Sequence, residues 1–477
     1  MTTSRNKTPH RIFRSLSSIL YLTLPLTLFF FGCAKQETRP IRQASDSAQE
    51  LRRDMQDKPN IVIIFTDDQG YGDLGCFGSE NIDSPNLDKL AADGIRFTDF
   101  YVQPVCGPSR SALLTSRYPV RSLGWSMPES EITFAELMKD VGYRTACIGK
   151  WDVSNRRPII ERMPNNQGFD YYFGPLGAND SGEVTFHENN DPAGGTDDMG
   201  SLTKLYTDKG IDWLKENKEG PFLLYLAHTM VHSIIDASPE FKGKSGGNLY
   251  DDTIEELDFH TGRLLDVIDE LGLRDNTLVI FTSDNGPWSN HEESLGPKHK
   301  GQIGWGTSGV LRGAKGSTYE GGLRVPAIMR WPGHIPAGRV SNAIFSSLDL
   351  LPTFANLTGF EVPSDRPIDG FDQTDLLLGK NEAGARDHLY YYCREEFQCV
   401  RQGKWKLVMA DRKVFRSYVD ERGSNDIELY DLENDIGESK NVAAGNPEIV
   451  KQLLALAALA PQIEDPTKLT YIRPPAP

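Results

Sequence analysis

Apolar and polar positions follow two successive patterns along the chain. From Pro59 to Gly359, short and nearly unbroken apolar runs alternate with stretches whose apolar residues recur at helical spacing. Asn60 to Thr66, Tyr143 to Ile148, Pro221 to Ala227 and Thr277 to Thr282 read as strands. Asn86 to Asp93, Tyr250 to Leu271 and Ser346 to Leu357, the last closed by Gly359, read as helices. A strand that is apolar at every position must be covered on both faces, so the pattern predicts a mostly parallel sheet flanked by helices. After about Lys380 the helices drop out. Leu389 to Tyr392, Gln398 to Arg401, Trp405 to Met409 and Ile427 to Tyr430 predict a small antiparallel sheet, followed by a helix from Pro447 to Ala458. The expected fold is therefore α/β, with a main domain over residues 59–380 and a smaller α+β subdomain over 381–477.

Two long Gly-rich polar stretches, Gly174 to Ser201 and Gly286 to Gly316, interrupt the main pattern. Long loops in a compact domain are commonly functional, and these are expected to wall a substrate site.

The first residues have a different character. Arg5, Lys7, Arg11 and Arg14 precede an apolar run from Ile19 to Phe31, which is short for a bilayer span of about 20 residues. Residues 1–32 are read as an export signal. The sequence Phe30-Phe31-Gly32-Cys33 marks Cys33 as a candidate lipid-bearing N-terminus, which would be the only membrane attachment, and polar residues 33–58 form a tether. Export to the periplasm or cell surface follows.

With 51 Lys and Arg against 67 Asp and Glu, the chain carries a net charge of -16. That balance argues against a nucleic-acid partner, and any anionic substrate must meet a local basic pocket. Besides Cys33 the cysteines are Cys76, Cys106, Cys147, Cys393 and Cys399. Cys393 and Cys399 are close enough in sequence for a local disulfide, whereas Cys76 and Cys147 fit buried apolar positions.

Asp67 and Asp68 directly follow one predicted strand, and Asp284 and Asn285 follow another. In an open parallel sheet ligands gather at the carboxyl ends of strands, so these four side chains can meet. An all-oxygen donor set suits a hard cation, Ca²⁺ or Mg²⁺. Cys106, in Cys106-Gly107-Pro108-Ser109-Arg110, begins a predicted helix and has a cation nearby. Taken alone, that setting lowers a thiol pKa.

These segments together resemble the type I, formylglycine-dependent sulfatases of the alkaline-phosphatase-like superfamily. The resemblance rests on Asn60 to Gly70, Cys106-Gly107-Pro108-Ser109-Arg110, Gly149-Lys150-Trp151, Thr282 to Gly286, Gly313 to Gly322 and Glu428 to Leu432. It implies that Cys106 is oxidised to formylglycine by a maturation enzyme, and that Asp67, Asp68, Asp284, Asn285 and position 106 hold Ca²⁺. It further implies that Arg110 supports position 106, that Lys150 and Lys315 bind sulfate, and that His232 protonates the leaving oxygen. His228 is expected to pack.

One position departs from the family. Where the motif continues Gly-Lys-Trp-His, this chain has Asp152, a candidate for the missing histidine's role as base if it reaches the site; otherwise turnover is slow or another residue serves. The implied activity is release of sulfate from a sulfated carbohydrate, with aryl sulfates as surrogates. Trp288, His291, His299 and Trp305 are candidate saccharide contacts. A phosphodiesterase or phosphonate hydrolase of the same superfamily, or a catalytically silent binder of sulfated glycans, are the alternatives.

Overall fold

The computed structural model describes residues 58–288, 305–393, 396–410 and 425–463. The signal, the tether up to residue 57, His291 and His299 lie outside them. Among the described residues no helix is long and apolar enough to cross a membrane.

A ten-stranded sheet forms the centre. Across it run β11 (Arg339–Ser341), β2 (Ile95–Phe97), β10 (Ala327–Arg330), β9 (Thr277–Ser283), β1 (Asn60–Thr66), β8 (Phe222–Ala227), β4 (Arg144–Gly149), β5 (Tyr171–Gly174), β6 (Val184–Glu188) and β7 (Asp191–Thr196). From β9 through β5 every pairing is parallel. β10 runs antiparallel to its neighbours, as do β6 and β7 at the other edge. The apolar run of β1 divides between the two faces. Ile61, Ile63 and Phe65 enter one core cluster, while Val62 and Ile64 enter the other. All five are fully buried, and each side chain contributes about 1.5–3 kcal/mol through removal from water.

Two elements differ from the sequence pattern. The expected loop at Gly174 to Ser201 contains the β6–β7 hairpin, and the helix Leu202–Asn217 follows it. β7 (Asp-Pro-Ala-Gly-Gly-Thr) is largely exposed, so pairing at the sheet edge forms it without an apolar signature. The expected helix from Ser346 instead begins with a 3₁₀ turn at Ser347–Asp349 and continues as Leu350–Thr358. Gly359 closes it in the left-handed region at φ 87°.

A two-stranded pair, β3 (Phe100–Tyr101) with β12 (Phe345–Ser346), lies outside the main sheet. The C-terminal sheet orders β13 (His388–Cys393), β14 (Glu396–Gln402), β15 (Trp405–Val408) and β16 (Glu428–Asp431), all antiparallel. The local disulfide does not form. Cys399 pairs across the ladder with Tyr391, Cys393 pairs with Glu396, and both remain thiols. Buried charges link this sheet to the segment at Glu320: Lys406 Nζ lies 3.0 Å from Glu320 Oε1 and 2.8 Å from Glu438 Oε1.

Candidate active site

Four neighbouring parallel strands deliver the predicted groups at their carboxyl ends. β1 leads into Asp67 and Asp68, β9 into Asp284 and Asn285, β4 into Lys150 and Asp152, and β8 into the segment ending at His232. Gly149 makes the turn out of β4 possible. Its φ is 104°, and a Cβ there would stand 1.9 Å from the Ala227 carbonyl oxygen. Asp68 also takes the left-handed region, at φ 62°, and donates its N–H to Asp284 Oδ1 at 3.1 Å.

The helix Cys106–Thr115 begins at Cys106 itself, after the extended Val105. Cys106 and Arg110, four residues apart, share a face of that helix. Arg110 is fully buried and donates to Asp284 Oδ2 at 2.7 Å and to the Lys150 carbonyl at 3.1 Å. Lys315 comes from the segment that docks through Lys315 N–H on Pro287 O and Gly286 N–H on Gly322 O.

At the centre, Cys106 Sγ stands 3.2 Å from Lys315 Nζ, 3.4 Å from Asp67 Oδ1 and 3.9 Å from Asp68 Oδ1. Lys150 Nζ donates to Asp67 Oδ2 at 2.7 Å, and Lys315 Nζ to Asp68 Oδ2 at 2.9 Å. His232 directs Nε2 toward Asp68 Oδ2 at 3.6 Å, with Nδ1 2.6 Å from the Ser233 carbonyl. Three buried carboxylates therefore meet three buried cations.

This field sets the ionisation states. Burial would raise the Asp67 carboxyl, but Lys150, His232, Arg110 and Lys315 outweigh it and hold the group far below the usual carboxylate range. Asp284 moves the other way, through burial and then the charge of Asp67. The thiol of Cys106 runs against the sequence expectation, because burial and then Asp284 push it well above the ordinary value. The helix start does not make it a ready thiolate. His228 is buried beside the Tyr206 ring, and burial lowers its pKa to about 3, as befits a packing residue.

The donor set fits a hard cation. Single ligand atoms of Asp67, Asp68, Cys106 and His232 all fall within 4.8 Å of one another. Asn285 gives its Nδ2 hydrogens to Asp68 Oδ1 at 2.7 Å and to Gly286 O, and its buried Oδ1 has no partner among the described residues. A buried amide oxygen without a donor is costly unless it meets a cation or water. Asp284 is already engaged by Arg110 and the Asp68 amide.

Asp152 differs from its expected place as base. Both oxygens are engaged, Oδ1 by Arg156 Nε at 2.7 Å and Oδ2 by Trp125 Nε1 at 3.2 Å, with Lys150 Nζ at 3.7 Å. Arg156, Asp180 and Trp125 are site neighbours that sequence reasoning did not find, since none belongs to a motif. Trp288 lies beside His232, ring centroids 5.2 Å apart, with Lys315 Nζ 4.8 Å from its ring.

A family model described as Sulfatase matches residues 59–360. The chain belongs to the sulfatase family. It is a sulfuric ester hydrolase, and a second model, N-sulphoglucosamine sulphohydrolase C-terminal, matches residues 314–459. Human arylsulfatase A is 37% identical over 462 residues, covering 85% of this chain and 88% of that protein. Among solved structures, a sulfatase from a Bacteroides thetaiotaomicron locus for metabolism of multiple glycosaminoglycans superposes with a TM-score of 0.76 at 28% identity. It covers 84% of this chain and 99% of its own. Ps i-CgsB in complex with k-i-k-neocarrahexaose gives 0.72 at 28% identity, covering 84% of this sulfatase and 92% of that chain.

Proposed function

We propose that this sulfatase releases inorganic sulfate from a sulfated carbohydrate, using Cys106 converted to formylglycine and a Ca²⁺ or Mg²⁺ ion. The observation that carries the reading is the meeting of Cys106 Sγ with Lys315 Nζ and the carboxylates of Asp67 and Asp68. The carbohydrate reading draws on the glycosaminoglycan locus and the neocarrahexaose complex of the two structural relatives.

The chain's own residues then have defined tasks. Lys150 and Lys315 place ammonium groups against the sulfate oxygens, where buried positive charge is worth most. Arg110, held by Asp284, fixes the position 106 side chain relative to Lys150. His232 keeps Nδ1 on the Ser233 carbonyl and turns Nε2 into the site; burial and then Lys315 lower its pKa, so a proton passes to the leaving oxygen only from the charged ring. Asp67, Asp68, Asn285 and position 106 would hold the cation, with Asp284 beside them on Arg110 and the Asp68 amide, and the cation would supply Lewis acidity at the sulfate. Asp152 anchors cations and is not assigned the base.

Residues 1–32 are assigned as an export signal, Cys33 as the anchor and 33–58 as a tether, on the strength of their sequence pattern. The boundary near residue 380 between catalytic domain and C-terminal subdomain rests on the same pattern. Mass spectrometry across Cys106 in protein from its native host, paired with sulfate release from a glycan panel, tests the proposal. A mass loss matching formylglycine together with released sulfate is expected. An unmodified thiol that binds glycan without turnover, in a host that matures other sulfatases, would overturn it in favour of the silent binder.

A further inference from the structure

At the rim of the site, Asp152, Arg156 and Asp180 form a chain that leads from the buried interior to His232. Asp152 is fully buried, and its Oδ1 accepts from Arg156 Nε at 2.7 Å. Arg156 Nη1 donates to Asp180 Oδ2, also at 2.7 Å, and Asp180 Oδ1 lies 3.7 Å from His232 Nε2. The Arg156 and Asp180 side chains are 42% and 44% exposed, so the outer pair faces solvent while its anchor does not. Neighbouring structure holds both ends. Asn179, fully buried, donates through Nδ2 to the carbonyls of His232 at 3.0 Å and Ile234 at 2.7 Å, tying the segment that carries Asp180 to the one that carries His232.

Backbone strain is concentrated in the same place. Asp152, Asn155 and Arg156 have φ of 61°, 56° and 55°, three left-handed residues other than glycine within five positions. Such conformations cost energy and persist where the surroundings enforce them. An ordinary exposed ion pair contributes little and needs neither a buried anchor nor a strained backbone.

We propose that Asp180 and Arg156 determine substrate selectivity by reading a sugar hydroxyl next to the sulfated carbon. This rests on the carbohydrate reading above. With Oδ2 clamped by Arg156, Asp180 turns Oδ1 toward the place where the leaving oxygen meets His232, and there it accepts from a hydroxyl. The Nη2 edge of Arg156, which no described residue accepts from, donates to an oxygen of the same ring. The two edges offered, Asp180 Oδ1 to accept and Arg156 Nη2 to donate, suit a hydroxyl, which does both. An apolar leaving group would cover the pair without satisfying it.

The test compares matured, metal-loaded wild type with Asp180→Ala and Arg156→Lys. Substrates are 4-nitrophenyl sulfate and mono-O-sulfated methyl hexopyranosides, with the hydroxyl next to the sulfated carbon either kept or removed. The quantity read is the ratio of kcat/KM for each sugar to that for the aryl sulfate. In Asp180→Ala that ratio should fall about 10- to 100-fold for the hydroxylated sugar, as loss of one charged hydrogen bond implies. For the deoxy sugar it should be the same in variant and wild type. In Arg156→Lys, which keeps the charge and loses the fork, a smaller fall is expected. If wild type cleaves the sugars and the ratio does not change in Asp180→Ala, this proposal fails alone. If wild type cleaves the aryl sulfate and none of the sugars, the carbohydrate reading fails and takes this proposal with it.

Discussion

Gly107 lies against the indole of Trp125, so close that a Cβ on the glycine would stand 2.2 Å from the ring Cδ1. The same indole donates to Asp152 Oδ2 at 3.2 Å, so the residue after Cys106 is in register with the segment that carries Lys150. Gly107→Ala should therefore displace Trp125 and, through it, Asp152. We expect a loss of stability of about 1–3 kcal/mol, as for other overpacked sites, together with a fall in sulfate release. Thermal unfolding and turnover of the matured variant check this. An alanine that leaves both unchanged would mean that the ring moves freely.

Asp152→His restores the residue type found in the family motif, yet we expect it to lower activity. The carboxylate it removes engages Arg156 at 2.7 Å and faces the buried Lys150 at 3.7 Å. Losing a charged hydrogen bond of this kind costs about 1.5–3 kcal/mol, and the Lys150 ammonium would lose an acidic neighbour. A turnover at least about tenfold lower is the expected result. A faster variant would show that proton transfer at position 152 limits the rate.

Cation removal should destabilise the fold as well as stop turnover. A ligand that binds only the folded state at 100 times its Kd contributes about 2.7 kcal/mol. Chelation should lower Tm, and added Ca²⁺ should raise it in a concentration-dependent way. Asp68→Asn should weaken that response, because Asp68 contacts Lys315 and Asn285 and lies in the cluster with Asp67, Cys106 and His232. Metal content by mass spectrometry gives the stoichiometry, and a Tm indifferent to chelator in wild type would remove the cation from the site.

Lys406→Met should be among the most damaging changes outside the active site. Its ammonium is fully buried between Glu320 and Glu438, at 3.0 and 2.8 Å. Removing one partner of a buried ionic cluster costs about 3–5 kcal/mol, and here Glu438 loses its cation while Glu320 keeps Arg324 at 3.4 Å and Arg401 at 3.8 Å. Adding Glu438→Gln to the Lys406→Met variant should recover part of that loss, as measured by chemical denaturation. No recovery would show that the contact with Glu320, and not the one with Glu438, is what matters.

The central strands were readable because both of their faces are buried. Between Asn60 and Thr66 every residue is apolar, and the structure makes the same seven residues a strand. Edge elements lack that signal. β7 has its residues half-buried or exposed, and the Gly-Gly within it suggests a loop. At the site, motifs indicated Asp67, Cys106, Lys150 and Lys315, and the structure brings all four together. Arg156 and Asp180 belong to no motif, and their pairing spans 24 residues. Linear spacing carries no information about such a contact. The Cys106 thiol differs from what its helix position alone implies for a related reason, since a helix start is visible in sequence and the depth of its burial is not.

The placement of functional groups at the ends of β9, β1, β8 and β4 has a consequence for how such a protein can vary. Strand residues advance about 3.3 Å each and alternate faces, so inserting or deleting one residue in any of these four strands would shift its terminal group by that distance or turn it over. The hairpin of β6 and β7 sits at the rim of the sheet, where only one neighbour constrains its length. A change of length there leaves the four strand ends where they are, so the chemistry at the centre is mechanically separate from the outline of the rim.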